Sequence, residues 1–125
     1  HNTKFNALVN HDGVFNLESM YGTTEELWFP DWENGGAPWE NREMYRKWSP
    51  SEFVSNFKTP MLVVHGGMDF RVPESQAFEL FTALQKMGVD SKFLYFPNET
   101  HFVLKPQNAK FWWKTIFDWY EGHKR

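Results

Sequence analysis

The 125-residue chain predicts a parallel α/β sheet with helices on both faces, and three observations carry that prediction. The segment Met61-Leu62-Val63-Val64-His65 is a near-continuous apolar run, the pattern of a strand buried on both faces. Two further apolar runs, Phe5–Asn10 and Lys92–Phe96, read as strands, and the three are followed by the turn signals Asp12-Gly13, Gly66-Gly67 and Pro97-Asn98. Helical patterns separate and follow the last two strands, so the order is strand, long connection, strand, helix, strand, helix.

The elements follow in turn. The first strand begins only a few residues into the chain, and three parallel strands make a thin sheet. The sequence therefore reads as the C-terminal portion of a larger α/β domain. The segment from Tyr21 to Trp48 holds four of the seven tryptophans, Trp28, Trp32, Trp39 and Trp48, with no clear period. It reads as a long excursion, either pinned to the scaffold by aromatic anchors or forming a pocket wall or a contact to another domain. Ser49-Pro50-Ser51-Glu52 predicts a short helix with Ser49 as cap and Glu52 completing a capping box, burying Phe53, Val54 and Phe57. Pro73 opens the next helix, Ala77, Leu80, Phe81 and Leu84 form its stripe, and Gly88 stops it. The last helix starts near Pro106, turns Phe111, Trp112, Thr115, Ile116 and Trp119 to one side, and ends at Gly122.

Composition removes several function classes. There is no cysteine, which excludes a disulfide framework and any thiolate metal site. Thirteen basic against sixteen acidic side chains give a net charge of −3, which argues against a nucleic-acid partner. No run approaches the length of a membrane span, and no signal-peptide pattern opens the sequence. Aromatics make up 19% of residues, implying either a rich core or apolar surface that belongs against a partner or another part of the chain.

In open parallel sheets, ligands sit beyond the carboxyl ends of the strands. The residues there are His11 and Asp12 after the first strand, His65 and Asp69 after the second, and Glu99 and His101 after the third. An Asp followed by a His in loops after consecutive strands suits the orienting acid and general base of a nucleophilic triad. Asp12 rivals Asp69 for the acid. A metal site from His11, His65 and His101 is the competing chemistry, disfavoured because no pair has the i, i+4 spacing of a helical zinc motif.

The context of those residues is specific. His65-Gly66-Gly67-Met68-Asp69-Phe70-Arg71-Val72-Pro73 resembles the acid loop of the prolyl oligopeptidase family of serine peptidases, an α/β-hydrolase group. Phe96-Pro97-Asn98-Glu99-Thr100-His101-Phe102 resembles that family's histidine loop, and Ser49-Pro50 with Thr59-Pro60 resembles the segment before the acid strand. The stretch from His101 to Asn108, with His11-Asp12-Gly13 and Glu25–Pro30, is most similar to the type V dipeptidyl peptidase branch.

The resemblance implies an α/β-hydrolase fold, Asp69 as triad acid, His101 as general base, His65 as a structural residue and Arg71 as a loop brace. It implies peptide substrates and no cofactor, while the charge balance and the lack of a long apolar run give the expectation of no nucleic-acid and no membrane partner. It also implies a nucleophile-bearing half and a β-propeller beyond these residues, a periplasmic or secreted setting, and allows a homodimer. No Gly-x-Ser-x-Gly occurs, and Ser19, Ser49, Ser51, Ser55, Ser75 and Ser91 lack the strand–turn–helix setting of a nucleophile. The expected activity is thus that of a serine dipeptidyl peptidase whose acid and base lie here and whose serine does not, leaving this piece inactive alone. Trp28, Trp32 and Trp39 are the pocket candidates. An acylaminoacyl peptidase, an esterase and a hydrolase-like binding module without activity are the alternatives.

Overall fold

The computed structural model describes residues 4–124. Three parallel strands, β1 (Leu8–His11), β2 (Met61–Gly66) and β3 (Ser91–Phe96), lie in the order β1-β2-β3. Leu8 pairs with Met61 and His11 with Val64, while Met61 pairs with Ser91 and Gly66 with Phe96. The centre of β2 is sealed: Leu62, Val63, Val64 and His65 have no exposed surface. β1 starts later than the sequence predicts because Phe5 is exposed, and pairing begins with Leu8, whose N–H donates to Pro60 O.

Alternation along β2 divides the core. Val63 points into a cluster with Phe15, Ala77, Leu80, Leu84 and Val89, the first layer formed by α4 (Ser75–Lys86). Leu62 and Val64 point the other way, with Leu94, Phe96, Ile116 and Trp119, against α5 (Pro106–Gly122). Helices therefore cover both faces, as a parallel sheet requires. Truncating the fully buried Leu84 to Ala would cost about 2–5 kcal/mol, the usual range for such a cavity. α4 stops where predicted: Gly88 takes φ +69°, and Val89 N–H returns to Leu84 O. On α5 the buried side is Trp112, Thr115, Ile116 and Trp119, but Phe111 is exposed, joining Trp113, Phe117 and Tyr120 on the outer surface.

The excursion differs from its expected form. It is not irregular but carries α2 (Trp28–Asn34) and α3 (Arg42–Trp48), preceded by the single-turn α1 (Leu17–Tyr21). Its four tryptophans do not anchor it, since Trp28, Trp32, Trp39 and Trp48 are 66, 83, 74 and 60% exposed. The anchor is Tyr45, fully buried, whose hydroxyl donates to Gly36 O at 2.9 Å. Buried Asn34 donates to Pro30 O, and Asn41 in turn donates to Asn34 O. Short helices of five to seven residues are not stable by themselves, so tertiary contacts decide their existence and a period does not announce them.

The helix after Ser49 is a 3-10 helix over Pro50–Asn56, kinked at Phe53. Ser49 makes no side-chain cap to it; its hydroxyl accepts from Leu17 N–H at 3.0 Å instead, tying this turn to α1. The predicted capping box is therefore absent, and Phe53, Val54 and Phe57 are only half-buried.

Candidate active site

The loop after β2 is bonded both to itself and to the loop after β3. Asp69 N–H donates to Gly66 O, Gly67 N–H to Phe96 O and Met68 N–H to Glu99 O. The Asp69 carboxylate is buried. Its Oδ1 accepts from Arg71 N–H at 3.1 Å and Val72 N–H at 3.0 Å, which fixes the acid within its own turn. Its Oδ2 accepts from Nδ1 of His101 at 2.7 Å, across 32 residues of sequence.

A carboxylate can only accept in that contact, so Nδ1 of His101 carries the proton and neutral Nε2 is left with its lone pair. Among the described residues Nε2 makes no hydrogen bond. The His101 side chain is 34% exposed and lines an open cleft of about 300 Å³ with Glu25, Met68, Phe70, Arg71 and Phe102. A base so arranged can take a proton from a hydroxyl entering the cleft. None of the six serines lines this cleft.

The loop that carries His101 is clipped by a residue whose part the sequence did not disclose. Buried Glu99 accepts from Leu104 N–H, Lys105 N–H and Asn108 Nδ2, at 3.1, 3.0 and 2.7 Å. Burial pushes its carboxyl up, but these hydrogen bonds and the Lys105 ammonium outweigh it and hold the group below the ordinary carboxylate range. The signal available was position alone, two residues before the candidate base.

His65 lies inside β2 rather than after it. Its Nε2 donates to Val72 O at 2.8 Å and so holds the far end of the acid loop. Arg71 braces the same loop: its guanidinium forks onto Glu26 at 3.0 and 3.1 Å, while Thr24 Oγ1 donates to Arg71 O and Glu25 N–H to Phe70 O. The excursion is thereby latched to the acid loop. Beside the latch lies an apolar cavity of about 470 Å³ lined by Val14, Met20, Glu26, Trp28, Phe29 and Val72. Trp28 belongs to it; Trp32 and Trp39 do not line it, and Trp39 instead meets Tyr21 edge-on. Trp48, not among the expected pocket residues, lines a neighbouring cavity of about 290 Å³.

Both rival acids are at the site. Asp12, buried with φ +52°, has Oδ2 3.8 Å from His101 Nδ1, so of the two only Asp69 is at hydrogen-bonding distance. Among the described residues His11, His65 and His101 do not converge as a ligand set. The group that does is Asp12, Asp69 and His101, with one ligand atom each within 4.8 Å. The 2.7 Å between Asp69 Oδ2 and His101 Nδ1 is a hydrogen-bond distance, and Asp12 adds a second carboxylate to the same group.

The sequence profile described as the prolyl oligopeptidase family matches residues 1–124. The chain belongs to the prolyl oligopeptidase family. Within it, the chain is 46% identical over 116 residues to dipeptidyl-peptidase 5 of Schizosaccharomyces pombe, covering 93% of this chain and 17% of that protein. It is 45% identical over 123 residues to dipeptidyl-peptidase 5 of Porphyromonas gingivalis, covering 95% of this chain and 18% of that one. Among solved structures, the acylaminoacyl peptidase of Pyrococcus horikoshii superposes with a TM-score of 0.89 at 25% identity, covering 98% of this chain and 21% of the other. The two dipeptidyl-peptidase 5 proteins are thus more than five times as long as the stretch they share with the present chain. The fold is that of one portion of a prolyl oligopeptidase-type α/β-hydrolase.

Proposed function

We propose that the whole protein is a serine-type dipeptidyl peptidase in which Asp69 orients His101 and His101 acts as general base. The observation that carries this reading is the 2.7 Å Asp69–His101 contact with the opposite ring nitrogen left to an open cleft. The similarity to two dipeptidyl-peptidase 5 proteins supports the reaction class.

None of the six serines lines the His101 cleft, so in this reading the nucleophilic serine comes from elsewhere in the whole protein. Its hydroxyl attacks the scissile carbonyl while Nε2 of His101 takes the hydroxyl proton. The imidazolium then returns that proton to the departing amine, leaving an acyl-enzyme that water hydrolyses by the same relay. Asp69, fixed by the Arg71 and Val72 amides, holds the working tautomer and offsets the charge on the ring. The cavity walled by Trp28, Phe29, Val14 and Val72 would take an apolar substrate side chain. Trp32 and Trp39, outside that cavity, fit a contact with another part of the protein, as do the other exposed aromatics.

The test is Asp69→Asn in the whole protein, assayed on peptides with free and with acylated N-termini. A fall in kcat of roughly 10⁴-fold with dipeptide release from free N-termini is expected. Near-normal turnover in the variant would end the assignment. Preference for acylated termini would turn the reading to an acylaminoacyl peptidase. No labelling by a fluorophosphonate would turn it to a binding module.

A further inference from the structure

Asp12 is held at the site at a cost that its local surroundings do not explain. Its backbone takes φ +52°, a region that non-glycine residues seldom adopt, though Asp and Asn tolerate it best. Its carboxylate is buried, and Oδ1 has no hydrogen-bond partner among the described residues. A buried carboxylate oxygen left without a donor is expensive, and such groups in native structures commonly mark a functional constraint. Its other contacts are imidazoles. Oδ1 lies 3.4 Å from Nδ1 of buried His65, and Oδ2 lies 3.1 Å from Nε2 of His11 without a hydrogen bond. Oδ2 is also 3.8 Å from Nδ1 of His101, the nitrogen that Asp69 holds at 2.7 Å.

The sheet explains why the two acids meet. His11, the last residue of β1, pairs with Val64 on β2, so Asp12 leaves its strand at the level where His65 and Gly66 lead into the acid loop. Asp12 N–H still donates to Val64 O at 3.1 Å, which fixes the carboxylate beside that loop.

We infer that Asp12 is a second carboxylate on the His101 imidazole: a positioning residue that supports Asp69 and takes over the Nδ1 proton when Asp69 is removed. Closing the gap from 3.8 Å to hydrogen-bonding distance requires a ring or carboxylate movement of about 1 Å. In the unaltered protein, its negative charge stabilises the imidazolium formed when Nε2 takes a proton, without touching the substrate. The inference rests on the acid–base roles proposed for Asp69 and His101.

The experiment is a double-mutant cycle in the whole protein with Asp12→Asn, Asp69→Asn and the two combined, reading kcat and KM separately and following the melting temperature. Asn keeps the shape and accepts the left-handed backbone; Asp12→Gly, which relieves that backbone while deleting the carboxylate, serves should the Asn variant fold poorly. Asp12→Asn alone should lower kcat by less than about tenfold with KM unchanged. In the Asp69→Asn background it should lower the residual kcat about tenfold more than it does alone, a coupling within the range for residues in contact. Equal effects in the two backgrounds, or an effect confined to the melting temperature, would overturn the inference. Should Asp69→Asn itself leave kcat intact, the proposed function falls instead, and the cycle shows which of the two has failed.

Discussion

Gly66 lies directly under the loop that carries His101: a Cβ placed on it would overlap Thr100 O and come within 2.6 Å of Glu99 O. The end of the acid strand and the histidine loop thus touch backbone to backbone, and no flexible side chain can give way. Gly66→Ala should push residues 99–101 outward and lengthen the Asp69–His101 contact. Overpacking of this kind costs about 1–3 kcal/mol. The expected result is a lower melting temperature together with a large loss of kcat in the whole protein. Unchanged kinetics would show that the loop absorbs the methyl without moving His101.

Glu99→Gln removes the charge from the clip that closes the same loop. Because Glu99 is held below its ordinary value of 4.5, its stabilisation is fully present above that value and fades as pH falls through the lower folded-state value. The melting temperatures of the variant and the parent should therefore differ at neutral pH and converge in acid. A gap that does not narrow at all as pH falls below 4.5 would assign the stabilisation to something other than the carboxylate.

His123 behaves in the opposite sense. Its Nδ1 donates to Trp119 O at 2.7 Å and its Nε2 faces Asp90 at 3.1 Å; both bonds together require the imidazolium. The Trp119 carbonyl and then the Asp90 carboxylate raise it above the ordinary 6.5, against partial desolvation. Its contribution is thus complete below 6.5 and is lost as pH rises through the higher folded-state value. Thermal melts of His123→Ala should fall furthest below those of the parent at pH values under 6.5, and the gap should narrow as pH rises above that value. The reverse order would disprove the charge assignment.

Trp28→Ala should enlarge the apolar cavity without touching the acid–base pair. Under the proposed function, KM for peptides with bulky apolar side chains rises while kcat changes little, the mark of lost uniform binding. A fall in kcat with KM constant would place Trp28 in transition-state contact, and no change would remove it from the pocket.

The scaffold was legible where burial is two-sided or punctuation is strong. β2 announced itself because a strand covered on both faces has no polar alternation, and α4 because Pro73 and Gly88 bracket it. The excursion was not legible because α2 and α3 depend on one buried tyrosine and a few amide bonds, which no local period encodes. On α5 aromatics occur on both sides, so spacing could not separate exposed Phe111 from buried Trp119. At the site, the loops of Asp69 and His101 were recognisable as strings. Asp12 was expected at the same sheet edge as a rival acid; that both carboxylates would flank one imidazole was not, because it depends on the register between β1 and β2.

The three ties from Thr24, Glu25 and Glu26 to residues 70–71 separate two kinds of variation. The segment from Leu27 to Trp48 contributes no strand to the sheet; beyond these ties it is held by buried Tyr45 and by the packing of Trp39 and Tyr45 on Tyr21. Under the proposed function, substitutions in this lobe that keep Tyr45 buried should change the apolar cavity while leaving the Asp69–His101 contact in place.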